Sequence, residues 1–251
     1  MIVSTQTDTP GSENDSQVTP DENHSQHVIN GHRIRVRVQG EGPALLLLNG
    51  WTRPMESWGA FTAALTGRRV VTFDAPGVGS SPAAALSMSS LASLATGVLD
   101  AVGVKRADVL GFSHGGAVAQ QLAIQTPHRV NRLVLAGTLC GAGAIPGDFG
   151  ALFALRDPKV NAAGTLLRLL AIASWSSVGH LHQIAAQTLV VVGADDRVAL
   201  PANSRFLASQ IRGAELVVLP GLGHDLQTQT AALVLASAVG AFLTADHELA
   251  S

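Results

Sequence analysis

The chain has 251 residues, of which 47% are hydrophobic and 14% charged, and its formal net charge is -2. This length and apolar content suit one globular α/β domain with a single core. A charge this close to zero gives no electrostatic basis for binding nucleic acid or an anionic membrane surface. The single cysteine, Cys140, excludes an intramolecular disulfide bond.

The first 26 residues are rich in Ser, Thr, Asp, Asn, Gln and Pro and have too little apolar content to pack. We predict a disordered tail over residues 1–26 and one domain over residues 27–251. The tail lacks a basic region followed by an apolar core, so no secretory signal is expected and the predicted location is cytoplasmic. No apolar run approaches the roughly 20 residues that span a membrane, so membrane insertion is not expected.

Apolar, strand-like segments alternate with helical segments along the chain, which is typical of a mostly parallel sheet covered on both faces. Strands are predicted near residues 33–39, 43–48, 70–74, 107–112, 131–136, 188–193 and 215–219. Helices are predicted near residues 56–65, 87–102, 115–125, 202–211 and 228–243. Because only a short Gly-Glu-Gly-Pro turn joins the first two predicted strands, we expect them to form an antiparallel pair at one edge.

Residues 141–186 interrupt this alternation, and we predict that they form a cap insertion. Leucines in this segment, together with Ile172 and Trp175, predict a helix whose apolar face closes over a pocket. Leu169 and Trp175 are the predicted substrate-binding residues of the cap. His180 and His182 lie two residues apart there, but no Cys/His cluster or HExxH motif accompanies them, so they are interpreted as polar cap residues and no metal site is predicted.

The segment Gly111-Phe112-Ser113-His114-Gly115 lies between an apolar run and a run of strong helix formers. A serine on such a strand-turn-helix junction is held above the sheet, and flanking glycines avoid collisions with the strand and the helix. The motif alone is weak evidence, since a surface serine on a glycine-rich turn gives the same pattern. Its interpretation as a nucleophile therefore depends on an acid and a base elsewhere in the chain.

Candidates for both partners follow Ser113 in the order serine, acid, histidine. Asp195 and Asp196 come just after one apolar run and His224 after the next, which places each at the sheet edge where ligands bind in open α/β folds. Neighbouring side chains on an extended segment point in opposite directions, so only one aspartate is expected to face His224. We predict that it is Asp196, the fourth residue of a Gly-x-x-Asp pattern, and that Asp195 caps the turn or is solvated.

The backbone N–H groups of Trp51 and His114 are predicted to form an oxyanion hole. His114 follows the nucleophile, and an apolar run leads into Asn49-Gly50-Trp51, where the glycine lets the backbone turn. The alternative for this second segment is an ordinary glycine turn with Trp51 as a core residue.

With these motifs, the chain resembles the α/β-hydrolase superfamily from about residue 28 to about residue 245. Within that superfamily it is similar to intracellular polyhydroxyalkanoate depolymerases and their relatives, with Asn49-Gly50 where most members have His-Gly. Further shared stretches are Pro76-Gly77-Val78-Gly79-Ser80-Ser81-Pro82, Gly115-Gly116-Ala117-Val118-Ala119-Gln120-Gln121, Leu133-Val134-Leu135-Ala136-Gly137-Thr138, Ile145-Pro146-Gly147 and Pro201-Ala202-Asn203. The resemblance implies an α/β-hydrolase fold with nucleophile, acid and base at Ser113, Asp196 and His224. Those depolymerases typically carry tryptophan where this chain has His114, and their cap segment is longer.

The predicted activity is hydrolysis of a small-molecule carboxylic ester, with a medium-chain acyl or hydroxyacyl group, through an acyl-serine intermediate and without a cofactor. Perhydrolysis and C–C bond hydrolysis are alternatives that use the same three side chains. A ligand-binding protein of the same fold without turnover is a third alternative, and the complete set of triad candidates argues against it. Nothing in the sequence predicts the oligomeric state.

Overall fold

The computed structural model describes residues 24–78, 81–154 and 162–245, and within them a single eight-stranded sheet forms the centre of the molecule. The strands are β1 (His24–Ile29), β2 (His32–Gln39), β3 (Ala44–Leu48), β4 (Arg69–Phe73), β5 (Ala107–Phe112), β6 (Val130–Ala136), β7 (Gln187–Gly193) and β8 (Glu215–Leu219). The helices are α1 (Gly59–Ala64), α2 (Met88–Ala101), α3 (His114–Gln125), α4 (Phe149–Ala154), α5 (Ala162–Ala173), α6 (Pro201–Gln210) and α7 (Gln229–Thr244). Short 3-10 helices cover Met55–Trp58, Pro127–Arg129 and Val178–Gln183.

The strand order in the sheet is β1-β2-β4-β3-β5-β6-β7-β8, and the six strands β3 to β8 run parallel to one another. The predicted antiparallel pair of β2 and β3 is wrong, because β4 lies between them and β2 pairs antiparallel with β4. The burial of the two strands explains the arrangement. β3 is apolar and almost wholly buried, which suits the middle of a covered parallel sheet, whereas β2 alternates arginines with the buried Ile34 and Val36.

Strand β1 was not among the predicted strands, and its first three residues, 24–26, fall within the segment for which a disordered tail was predicted. It pairs antiparallel with β2 through a turn at Asn30 and Gly31, whose φ angles of 51° and 80° suit a two-residue hairpin. The polar sequence of β1 hides this role, because the strand is held by pairing with β2 rather than by burial. Residues 1–23 of the predicted tail lie outside the described residues.

Two apolar clusters cover the two faces of the sheet. One joins α2, α3 and α6 to the sheet, and the other joins α1 and α7 to the opposite face. Every residue of β5 is buried, so this strand lies in the interior of the sheet. Its carboxyl end therefore opens at the centre of the sheet edge, where the loops after β3, β6, β7 and β8 also emerge.

The predicted cap insertion, residues 141–186, contains α4 and α5, of which only the helix corresponding to α5 was expected. Residues 155–161 of the cap lie outside the described residues. Leu166 and Leu170 on α5 are 56% and 57% exposed, so the apolar residues of this helix do not all face the domain.

Candidate active site

Ser113 occupies the single residue between β5 and α3, with φ 52° and ψ -118°. Of the described non-glycine residues, only Ser113 and Asn30 have a positive φ, a conformation that costs of order 1–3 kcal/mol. The neighbouring glycines leave room for this turn: a Cβ on Gly111 would lie 2.4 Å from the Gly115 carbonyl oxygen, and one on Gly115 would lie 2.1 Å from the Leu48 carbonyl oxygen. The backbone of this junction thus has the close packing and the strain expected of a nucleophile turn.

The three side chains predicted to act together form one chain of hydrogen bonds. The Ser113 Oγ lies 3.0 Å from His224 Nε2, and His224 Nδ1 lies 2.8 Å from Asp196 Oδ2. The second oxygen of Asp196 accepts hydrogen bonds from the backbone N–H groups of Val198 and Ala199, at 2.9 and 2.8 Å. Asp196 is 2% exposed, so this carboxylate is held in one orientation by the groups around it.

Asp195 does not join this chain. Its side chain is exposed, and its backbone N–H donates to the carbonyl oxygen of Leu222. Adjacent aspartates therefore point in different directions, one inward to the imidazole and one outward to solvent.

Sequence reasoning missed two residues that pack around the imidazole. The ring of Phe112 lies 5.3 Å from the ring of His224, centroid to centroid. Gly137 has φ 51°, and a Cβ there would lie 3.4 Å from Asp196 Oδ2 and 3.6 Å from His224 Nδ1. A glycine directly after β6 was the available signal, because loops after neighbouring parallel strands meet at this edge.

Trp51 lies in the loop that follows β3, residues 49–55, which we call the Trp51 loop. Both ends of this loop are held by side chains: Gln227 donates to Asn49 Oδ1 at 2.7 Å, and the N–H of Met55 donates to Asp74 Oδ1 at 2.9 Å. Arg53 in this loop also forms an ion pair with Asp225, the residue that follows His224 in the chain. These partners are far apart in sequence, and none of them was predicted.

His114 begins α3 and is 8% exposed. Burial, reinforced by the positive charge of Arg168, lowers the pKa of His114 to about 3, from an ordinary value of 6.5. The imidazole is therefore neutral near pH 7, and its Nε2 has no hydrogen-bond partner among the described residues. Its side chain makes no hydrogen bond to Ser113, which leaves His224 as the histidine bonded to the serine.

A cavity of about 350 Å³ opens in front of the Ser113 hydroxyl. Ser113, His224, Trp51 and His114 line it together with apolar residues of the cap, among them Leu169. The prediction for Trp175 is wrong, because this residue does not line the cavity. Its indole N–H donates instead to Gln121 Oε1 on α3 at 2.7 Å, and the ring packs against the core.

The remaining polar groups singled out in the sequence take no part in this arrangement. His180 Nδ1 lies 3.2 Å from Gln183 Nε2, and no group of three metal-ligating side chains occurs within the described residues. Cys140 is buried, and this burial raises the pKa of its thiol. Among the helices of the described ranges, none is both long and apolar enough to cross a bilayer.

Fold and sequence together assign the class of this protein: the chain belongs to the α/β-hydrolase superfamily, as predicted, and residues 43–155 match the alpha/beta hydrolase fold family. It is 31% identical to a poly(3-hydroxyalkanoate) depolymerase of Ectopseudomonas oleovorans, over 88% of this chain and 93% of that protein. It is 26% identical to a 2-hydroxy-6-oxo-6-phenylhexa-2,4-dienoate hydrolase of Burkholderia cepacia, over 81% of this chain and 88% of that protein. A solved hydrolase from Pseudomonas aeruginosa PA01 has a TM-score of 0.79 and 28% identity, over 89% of this chain and 99% of that one.

Proposed function

We propose that the protein hydrolyses carboxylic esters through an acyl-serine intermediate. The observation that carries this proposal is the hydrogen-bonded chain from the Ser113 hydroxyl through His224 to the buried Asp196, with the hydroxyl facing a cavity. A serine hydroxyl is a weak nucleophile by itself, and a histidine within hydrogen-bond reach supplies the base that it needs.

In the proposed first half-reaction, His224 Nε2 removes the Ser113 proton while Oγ attacks the ester carbonyl. The backbone N–H groups of Trp51 and His114 donate to the developing oxyanion. The imidazolium then passes its proton to the leaving alkoxide, and the alcohol departs. Asp196 keeps His224 in the required tautomer and stabilises its positive charge.

In the second half-reaction, His224 removes a proton from water, and the resulting hydroxide attacks the acyl-serine carbonyl. Collapse of the second tetrahedral intermediate breaks the bond to Ser113 Oγ, which recovers its proton from the imidazolium. The products are a carboxylic acid and the regenerated serine, so no cofactor is needed for the balance.

The substrate that we propose is a small-molecule ester with a medium-chain acyl or hydroxyacyl group. A cavity of about 350 Å³ is at the small end of the range for small-molecule sites. Its apolar cap residues favour an aliphatic chain, and the similarity to a poly(3-hydroxyalkanoate) depolymerase supports an ester of a hydroxy acid.

Hydrolysis of a C–C bond is a second candidate, because the chain is similar over most of its length to a 2-hydroxy-6-oxo-6-phenylhexa-2,4-dienoate hydrolase. The same nucleophile, base and acid would serve that reaction. The two candidates differ in the substrate that the protein hydrolyses, an ester or the oxo-dienoate. Assays of both substrates with one purified sample therefore distinguish them.

The test combines labelling with turnover. Wild-type protein, Ser113→Ala and the remote surface control Ser209→Ala are treated with a fluorophosphonate and assayed on p-nitrophenyl esters from acetyl to decanoyl, and on the dienoate. We expect labelling and ester turnover in the wild type and the control, and a loss of roughly 10⁴-fold or more in Ser113→Ala. Turnover of the dienoate alone would support the second candidate, and full ester turnover by Ser113→Ala would contradict both.

A further inference from the structure

Arg168 is a buried arginine on the cap helix α5 that reaches two separate loops of the main domain. Its Nη1 donates to the carbonyl oxygen of Trp51, and its Nη2 donates to the carbonyl oxygen of Pro76 at 2.6 Å. The first carbonyl belongs to the Trp51 loop after β3, and the second belongs to the loop after β4. One side chain of the cap therefore joins two neighbouring loops at the edge of the sheet where Ser113 lies.

The bonding of Arg168 differs from that of the other deeply buried arginine, Arg68. Arg68 pairs with the carboxylate of Asp108 and also donates to the Leu243 carbonyl. Arg168 is 7% exposed. Among the described residues, no carboxylate oxygen lies within 4.0 Å of its guanidinium nitrogens. Two of its donors bond to carbonyl oxygens, and the Asp74 carboxylate stabilises its charge from beyond ion-pair distance. A hydrogen bond from a charged donor is stronger than one from a neutral donor.

The position of the Trp51 carbonyl matters because Trp51 is also the residue whose N–H is the proposed oxyanion donor. The Trp51 loop is held near its two ends, at Asn49 by Gln227 and at Met55 by Asp74. The bond from Arg168 falls between those two points. It restrains the peptide unit that follows Trp51, while the unit that carries the Trp51 N–H is held through the Gly50 carbonyl oxygen, which accepts from the N–H of Arg53 at 3.3 Å. The cap side chain therefore restrains the backbone directly beside the proposed donor.

The second proposed oxyanion donor lies beside the same guanidinium. His114 shares the cavity lining with Arg168, and the charge of Arg168 is close enough to influence the imidazole of His114. The arginine thus contacts one donor residue and neighbours the other. Neither Ser113 nor His224 hydrogen-bonds to it.

We propose that Arg168 is a positioning residue that couples docking of the cap helix to the geometry of the oxyanion hole. This inference rests on the proposed esterase function. With the guanidinium in place, the Trp51 N–H is held ready for the oxyanion before substrate arrives. Without it, the nucleophile, base and acid stay intact, but the Trp51 loop moves more freely.

Three variants test the proposal. Arg168→Met removes the hydrogen-bond donors, and Arg168→Lys keeps the charge but lacks the two-pronged guanidinium that bonds to both carbonyl oxygens. Arg68→Met is the matched control at the other buried arginine. Each is measured for kcat and KM on one p-nitrophenyl ester, and for hydrogen-deuterium exchange in peptides covering residues 49–55. Displacing a donor by a fraction of an ångström to an ångström lowers kcat by about 10- to 100-fold.

We expect Arg168→Met to lower kcat by that factor with KM within about threefold, to speed exchange in residues 49–55, and to leave Ser113 reactive with a fluorophosphonate. Arg168→Lys should show the same changes to a smaller extent, and it decides the matter if Arg168→Met does not fold. Arg68→Met should lower thermal stability and leave both kcat and exchange in residues 49–55 unchanged.

The proposal is overturned if exchange in residues 49–55 is unchanged in both Arg168 variants. It is also overturned if an active Arg168 variant shows loosened exchange with wild-type kcat. If the wild type itself hydrolyses no ester, the proposed function fails, while the exchange data still report whether Arg168 restrains the loop.

Discussion

His114 is predicted to make the folded protein sensitive to acid. Its imidazole is buried at the start of α3, without a hydrogen-bond partner for Nε2 among the described residues and beside the charge of Arg168. These surroundings lower the pKa of His114 to about 3 in the folded state, whereas an unfolded chain would show the ordinary value of 6.5. Between pH 3 and pH 6.5, His114 is therefore largely protonated in the unfolded chain and largely neutral in the folded one.

The sign and size of the effect follow from this difference. The unfolded state is the more protonated one between pH 6.5 and pH 3, so the free energy of unfolding falls as the pH falls through this window. Each unit of pH within it removes about 1.4 kcal/mol. At pH 6.5 half of the unfolded chains are already protonated, so acidification from pH 6.5 to pH 4.5 lowers the free energy of unfolding by about 2.3 kcal/mol through this one residue, compared with the 5–15 kcal/mol that is typical of a domain.

The measurement is urea-induced unfolding of wild type, His114→Phe and the exposed control His128→Phe at pH 7.0, 5.5 and 4.5. A phenylalanine ring fills nearly the same space and does not titrate, so His114→Phe should lose about 2–3 kcal/mol less than the wild type between pH 7.0 and pH 4.5. Any constant difference in stability between the proteins does not affect this comparison. His128→Phe should follow the wild type. Parallel pH dependences for wild type and His114→Phe would refute the reasoning.

Two further predictions concern the acid and the cap. Asp196→Asn should lower kcat by about 10⁴-fold, because the imidazole loses both its orientation and its charge partner. Asp195→Asn, at an exposed position, should change kcat by less than about threefold. A larger loss of kcat in Asp195→Asn than in Asp196→Asn would exchange the roles of the two aspartates. In a series of esters from acetyl to hexanoyl, kcat/KM should rise by up to about fourfold per carbon, since each buried CH₂ contributes about 0.8 kcal/mol. Leu169→Ala should flatten that rise, while Trp175→Ala should lower the melting temperature and keep the wild-type profile; equal profiles for wild type and Leu169→Ala would remove Leu169 from the acyl site.

Much of the fold was predictable because the signals are local. Six of the eight strands show as apolar runs in the sequence, β2 shows as an alternation of apolar and charged residues, and the glycines around Ser113 indicate a backbone turn that needs them. The eighth, β1, was missed because a polar strand at an edge is stabilised by its partner and not by its own composition. Trp175 was assigned wrongly for a related reason. An aromatic residue in a cap segment can face either the cavity or α3, and here the indole N–H donates to Gln121 on α3.

The sequence by itself determined the class of fold and the order of serine, acid and histidine, since each of these residues follows an apolar run at the strand ends of one sheet edge. Only the tertiary structure decided which aspartate faces His224, where β4 enters the sheet, and what surrounds the Trp51 loop. The bond from Arg168 to Trp51 spans 117 positions in the chain, and the bond from Gln227 to Asn49 spans 178. Periodicity and turn residues report the burial and backbone conformation of a short segment. Contacts over such separations depend on the path that the whole chain takes through the sheet.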